Sequence, residues 1–342
     1  MRNLINSFLF ILICFGTYGQ FKTKKYIKRN RKAPITNYSD GKIYSRGLFA
    51  DSNRIFIGNS DGSLYYINLK KASAKLIFKL PDFDEIRDVE FVNDKIIGLH
   101  SGKNGKLLYM DLKGATKVIK LDEWQGVFLD GMDFHGLTGF MMGDPKDSIF
   151  SIYDTKDGGL TWNKCSGKIK AYKQEAGFAA SGSNVQVIND STYVFVSGGG
   201  ISRFFKSTNN GKSWKALVLP YYPGESTGAY SLNFMNDTIG VIVGGDYQDP
   251  NLRMNVCFYS NDGGESWYNS DKTVRGYRSC VISYDGIFYT CGRNGIDFSI
   301  NNGVDWIPFA DGAYFSLAIS NDKLIATMKG GSIQFFNLME RK

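Results

Sequence analysis

Histidine is nearly absent: the 342 residues hold two, His100 and His135. A metal centre built on imidazoles needs more, so no metal site is expected. Cys-x-x-Cys and Cys-x-x-Cys-His are both missing, which removes thioredoxin-type redox chemistry and covalent haem attachment. No strand–GxGxxG–helix unit for a dinucleotide is present; "SGGGIS", 197–202, is glycine-rich but reads as a turn within a β-unit. No bound cofactor is therefore expected. Long heptads are lacking too. The apolar run Phe8–Phe15 is too short to span a membrane as a helix, and no other segment reads as a span.

What is abundant is glycine, 39 residues, with aromatics at 15%. Together with recurrent Asn/Asp turns this points to an all-β protein. Residues 1–20, with Arg2, the apolar run and then Gly16, Thr17 and Gly19, read as a secretory signal peptide cut near Gly19 or Gln20. Cys14 follows bulky Ile13, which argues against lipid attachment. The expectation is an exported monomer, periplasmic or extracellular.

The net charge of +8 suggests a polyanion partner until it is located. Residues 1–32 hold eight Lys and Arg and no acid, so the rest of the chain balances 33 basic against 33 acidic residues. The basicity is that of a linker, 21–33, and nucleic acid is not an expected partner. Four cysteines follow the leader. Cys280 and Cys291 flank "SYDGIF", and a two-residue turn at Asp285-Gly286 places them opposite one another. Export would permit a disulfide. The pair falls on a hydrogen-bonded site with Cα atoms roughly 5.5 Å apart, so buried, reduced thiols are the expectation.

The chain repeats itself. "SRGLFA", "IRDVEF", "LDGMDF", "SNVQVI", "YSLNFM", "RSCVIS" and "FSLAIS" begin 41, 43, 54, 47, 48 and 37 residues apart. Each leads into an Asn/Asp/Gly turn, a second strand ending in small residues and a third strand. Four strands per unit and seven units predict a seven-bladed β-propeller over 34–342. The last unit stops after its third strand, so "ITNY", 35–38, is expected to supply the missing outer strand and close the ring.

Four units carry Ser/Thr-x-Asp/Asn-x-Gly-x-x-Trp: Asp157 with Trp162, Asn209 with Trp214, Asp262 with Trp267, and Asn301 with Trp306. The motif resembles the Asp-box of bacterial neuraminidase-type repeats, less closely in the last copy, where Asp305 replaces Ser/Thr. Its physics is that of a staple: a carboxylate or amide accepting turn N–H groups, a glycine at positive φ, and an indole buried between sheets. In a four-stranded meander these turns share a rim with the 1→2 turns. Function is then expected on the other rim, with the 2→3 turns, the blade links and the channel mouth.

On that rim the sequence departs from its own consensus. "FLDGMDFHGLTGFMMGDP", "EAGFAASG", "VSGGGISR", "VGGDY" and "GYRS" together resemble propellers of the photosystem II stability/assembly-factor-like group, distantly sialidase-related, over most of 125–310. The resemblance implies the fold, and marks Asp130, Asp144, Glu175, Arg203, Asp246, Tyr247, Tyr277 and Arg278 as ligand- or partner-binding candidates. Plainer roles stand beside these: Asp130 and Asp144 bonding tight turns, and Arg203 and Arg278 pairing with those acids between blades. The favoured reading is a non-catalytic binding or assembly module that meets a protein or an anionic, sugar-like ligand through blades 3–6. A sialidase-type glycoside hydrolase, with Arg293 as a further part, is the alternative. An oxidoreductase, as such proteins are often labelled, is a third.

Overall fold

The computed structural model describes residues 35–39, 42–69, 73–79 and 85–339; the expected leader and basic linker lie outside the described residues. The described chain forms seven antiparallel sheets arranged as blades. Their first strands are Ser45–Ala50, Ile86–Val92, Leu129–His135, Val185–Asn189, Thr227–Phe234, Cys280–Tyr284 and Leu317–Ser320. One 3-10 turn, Asp122–Trp124, is the single helical element among the described residues. Among them, no helix is long and apolar enough to cross a membrane.

The pattern of the second strands explains the packing. Arg54–Asn59, Lys95–His100, Thr192–Val196 and Ile287–Gly292 are buried almost throughout, because both faces of each meet a neighbouring blade. The core is correspondingly a chain of inter-blade clusters. One joins Ile97, Leu99 and Tyr109 to Met132, Met141 and Tyr153; the next joins Phe140 and Ile152 to Phe195 and Phe205. Ile35–Asn37 pairs antiparallel with Ser332–Asn337, making the outer strand of blade 7. In the expected hairpin, Cys280 pairs with Cys291, and both thiols are free.

The first strands line the channel and tie blade to blade through side chains. Asp88 accepts the Met132 amide at 2.8 Å, and Asp133 accepts that of Val187 at 2.6 Å. Gln186 donates to the Phe234 carbonyl at 3.0 Å and accepts the Phe234 amide at 2.6 Å. Ser231 accepts the Val281 amide at 2.8 Å; across the ring closure the bond comes from a second strand, Thr327 donating to the Ser45 carbonyl at 2.7 Å.

The four Trp-bearing turns share one hydrogen-bond pattern between third and fourth strands. The Gly159 amide donates to the Thr155 hydroxyl at 3.0 Å, and the Thr161 amide to Asp157 at 3.0 Å. The same pair recurs at Gly211/Ser207 and Ser213/Asn209, and at Gly264/Ser260 and Ser266/Asp262. At the fourth copy the Asp305 amide donates to Asn301 at 2.9 Å. Asp305 is tolerated there because the backbone N–H, not the side chain, makes that bond. Burial opposes ionisation of Asp262, but bonds from Ser266 outweigh it and bring the acid down to about 2. The turns also touch the 1→2 turns, through Gly158 to Leu137 and Gly263 to Thr238. Those two sets of turns thus share a rim, leaving the other to the links.

Candidate binding site at the plugged channel mouth

Four first strands carry an extra residue at the same place. The ladder slips between Ser45 and Gly47, Ile86 and Asp88, Leu129 and Gly131, and Ala229 and Ser231. The residues left over are Arg46, Arg87, Asp130 and Tyr230. A bulge re-aims the side chain it carries.

Three of the four meet consecutive residues of one link. Between blades 3 and 4 the chain runs through Gly177, Phe178 and Ala179 to Ser183. The Asp130 carboxyl packs against Gly177 so closely that a Cβ there would lie 2.4 Å from Oδ2. Phe178 stacks on Tyr230 at 4.4 Å between centroids. Arg87 donates to the Ala179 carbonyl at 2.8 Å. Further along, Ser181 donates to the Ser279 carbonyl of blade 6 at 2.8 Å, and Ser183 bonds Ser231 of blade 5 at 2.6 Å. Gly182, at φ +75°, sits where a Cβ would come within 2.2 Å of Asp88 in blade 2. One link therefore touches blades 2, 3, 5 and 6, and plugs the channel.

The fourth bulge residue joins the group through an acid. Glu85 lies 3.1 Å from Arg46 and 2.7 Å from Arg87. Both arginine side chains keep a share of solvent, 28% and 21%. Burial and the neighbouring Arg87 charge pull the Arg46 pKa down. Across the mouth, Tyr277 meets Tyr230 edge-on at 4.9 Å. Arg293 is exposed; it donates to the Tyr247 carbonyl at 3.0 Å and lies 5.8 Å from that ring. Burial raises the Tyr277 pKa, while Arg46 and Arg293 act the other way, so both charges face that phenol.

Asp130 and Asp144 are brought together. Asp144 accepts the Gly177 amide at 3.0 Å, the same glycine that Asp130 packs against. Among the described residues neither Asp130 oxygen has a hydrogen-bond partner. Burial, then the Asp144 charge, push its acid well above the usual range. Burial raises Asp144 to about 6. Asp246, with Ser226 at 2.6 Å, and Tyr247 stand on the blade 5 loop of the same rim.

The remaining candidates lie elsewhere. Arg203 does not pair with Asp130 or Asp144; it clasps Glu175 through two bonds of 2.7 Å. Ser197 and the Tyr172 amide complete the Glu175 carboxylate at 2.6 and 2.9 Å. This fastens the base of the plug, where Glu175–Ala176 pairs with Gly198–Gly199 of the glycine-rich segment. Arg278 is fully buried and held by Asp297, which also binds Arg275 at 2.7 Å. It braces blade 6 and reaches neither acid of blade 3.

No family model and no curated protein matches this chain. Solved structures do match in shape. The WD40 β-propeller domain of Doa1 superposes with a TM-score of 0.64 at 10% identity, over 91% of this chain and 97% of that one. The Neurospora crassa Pan2 WD40 domain gives 0.61 at 11%, over 89% and 94%. A chain of the mitotic checkpoint complex gives 0.58 at 9%, over 91% and 98%. At such identities the likeness is one of fold: a seven-bladed propeller.

Proposed function

We propose that the protein is an exported, non-catalytic binding or assembly propeller whose plugged mouth receives an acidic segment of a partner protein. The observation that carries this is the set of three bulges converging on one plug, with Arg46 of a fourth joined to Arg87 through Glu85. Such a socket has a fixed floor, so little ordering is left to be done on binding. Its polar lining sets Arg46, Arg87 and Arg293, with Tyr247 and Tyr277, beside Glu85, Asp144 and Asp246; Glu85 is shared by the first two arginines, and exposed Arg293, without an ion-pair partner among the described residues, is the charge left for a partner's carboxylate. Partly exposed guanidinium groups suit carboxylates. A pull-down from envelope extract tests the reading. Wild type and Asp237→Ala, on the opposite rim, should recover the same partner, while Arg46→Ala/Arg293→Ala should lose it. Equal recovery by all three would count against the mouth.

One observation favours a second reading, a sialidase-type glycoside hydrolase. Asp144 stands at this rim with its acid raised to about 6, a range suited to proton donation, near arginines that could hold a sugar carboxylate. A fluorogenic sialoside panel separates the two. Hydrolysis by wild type that is lost in Asp144→Asn would replace the binding reading.

A further inference from the structure

Blade 3 has a short outer strand, Asn163–Lys164, and the chain then returns along its flank. The Ala171 amide donates to the Ser148 carbonyl at 2.9 Å, and the Phe150 amide to the Ile169 carbonyl at 3.0 Å. Residues 168–172 thus add a strand-like edge in which Ile169 and Ala171 face the core. The alternation leaves Lys168, Lys170 and Tyr172 on the exposed side. Opposite lies the Trp214 turn of blade 4, close enough that the Gly167 amide bonds the Gly211 carbonyl at 2.9 Å. The two walls enclose a cleft of about 990 Å³.

Four lysines line it: Lys168, Lys170, Lys173 and Lys212. None has an ion-pair partner among the described residues. Tyr172 is 61% exposed, with one ring face 4.7 Å from the Arg203 guanidinium. That guanidinium is committed to Glu175, so the two-point grip that arginine gives phosphate is absent and point charges remain. Ser148, Ser213 and Trp214 complete a lining of hydroxyls and aromatic surface.

We propose that this cleft is a second binding site, for a short acidic oligosaccharide bearing carboxylate or sulfate groups. Its volume stands at the upper end of the roughly 300–1,000 Å³ typical of small-ligand pockets. Rings with hydroxyls and fixed negative charges match lysines, serines and aromatic faces together. A nucleic-acid strand is less well matched. It calls for a basic groove tracking the backbone with serial stacking platforms, whereas the chain beyond residue 32 is charge-neutral and the four lysines here line one compact cleft.

Calorimetric titration of the full-length protein tests this with an oligogalacturonate trimer, a sulfated heparin tetrasaccharide, a neutral maltotriose and an oligothymidylate. Saturable binding of either acidic sugar is expected, the stronger of the two identifying the anion. Maltotriose should not bind. Lys168→Gln/Lys170→Gln, both exposed positions, should weaken the acidic sugar by about tenfold or more. Arg293→Ala at the mouth should leave it unchanged, which separates this site from the partner site. Absence of binding by both acidic sugars, an unchanged affinity in the lysine variant, or equal binding of oligothymidylate overturns the proposal.

Discussion

Phe178 stacks on Tyr230 at 4.4 Å, and Tyr230 in turn receives Tyr277 edge-on at 4.9 Å. This row of rings is where the plug is pinned to blades 5 and 6. It converts an irregular link into part of the core.

Truncating the pinning ring should therefore cost stability. Phe178→Ala is expected to lower unfolding free energy by roughly 2 kcal/mol, since the ring is only partly buried. A fall in the urea midpoint without a change in slope checks it. An unchanged midpoint would show that the plug is held by its polar contacts alone.

The Glu175–Arg203 clasp should behave as a buried pair. Glu175→Leu alone is expected to cost about 3–5 kcal/mol, because it strands a guanidinium in a residue that is 8% exposed. Replacing both, as Glu175→Leu/Arg203→Met, should cost less than the two single changes summed. Denaturation of the four proteins in a double-mutant cycle reads the difference.

Stability should also fall as pH rises through the weakly acidic range. Burial raises Asp144 to about 6, Asp133 to about 6 and Asp88 to about 7, from ordinary values of 3.8. The folded protein then holds protons that the unfolded chain has released. The contribution is fully present below 3.8 and is lost as pH climbs to the folded values. Asp144→Asn retains an oxygen for the Gly177 amide and should remove its share of the slope. Urea midpoints at pH 4, 5, 6 and 7 for both proteins decide it.

The thiols should be silent until the blades open. Cys165, Cys257, Cys280 and Cys291 are all free and buried. Ellman's reagent should find none of these four in the native protein and all of them in denaturant. Rapid native labelling at one of them would contradict its burial.

The ring was legible in the sequence because each unit repeats the same strand–turn chemistry, and the Trp-bearing turns because their hydrogen bonds are local. Asp144 stood out as a departure from that repeat, whereas Asp130, within a repeat segment, was marked only by the family resemblance. Arg46 and Arg87 were not: they stand in the plainest units, and a bulge is a matter of register that one strand does not reveal. The Glu175–Arg203 and Arg278–Asp297 pairs span 28 and 19 residues, and their spacing carried no mark of which acid each arginine would choose. The plug did leave a trace. The longest interval between units, 54 residues, falls on the stretch that contains it.

Pairing of Ile35–Asn37 with Ser332–Asn337 sets a timetable as well as an architecture. A ribosome delivers one partner of that ladder ahead of all seven blades and the other only after their remaining strands. Until that second partner emerges the circle is an arc with a raw end. A nascent chain released before Ser332 would be an open template for pairing with its neighbours rather than a slightly smaller protein.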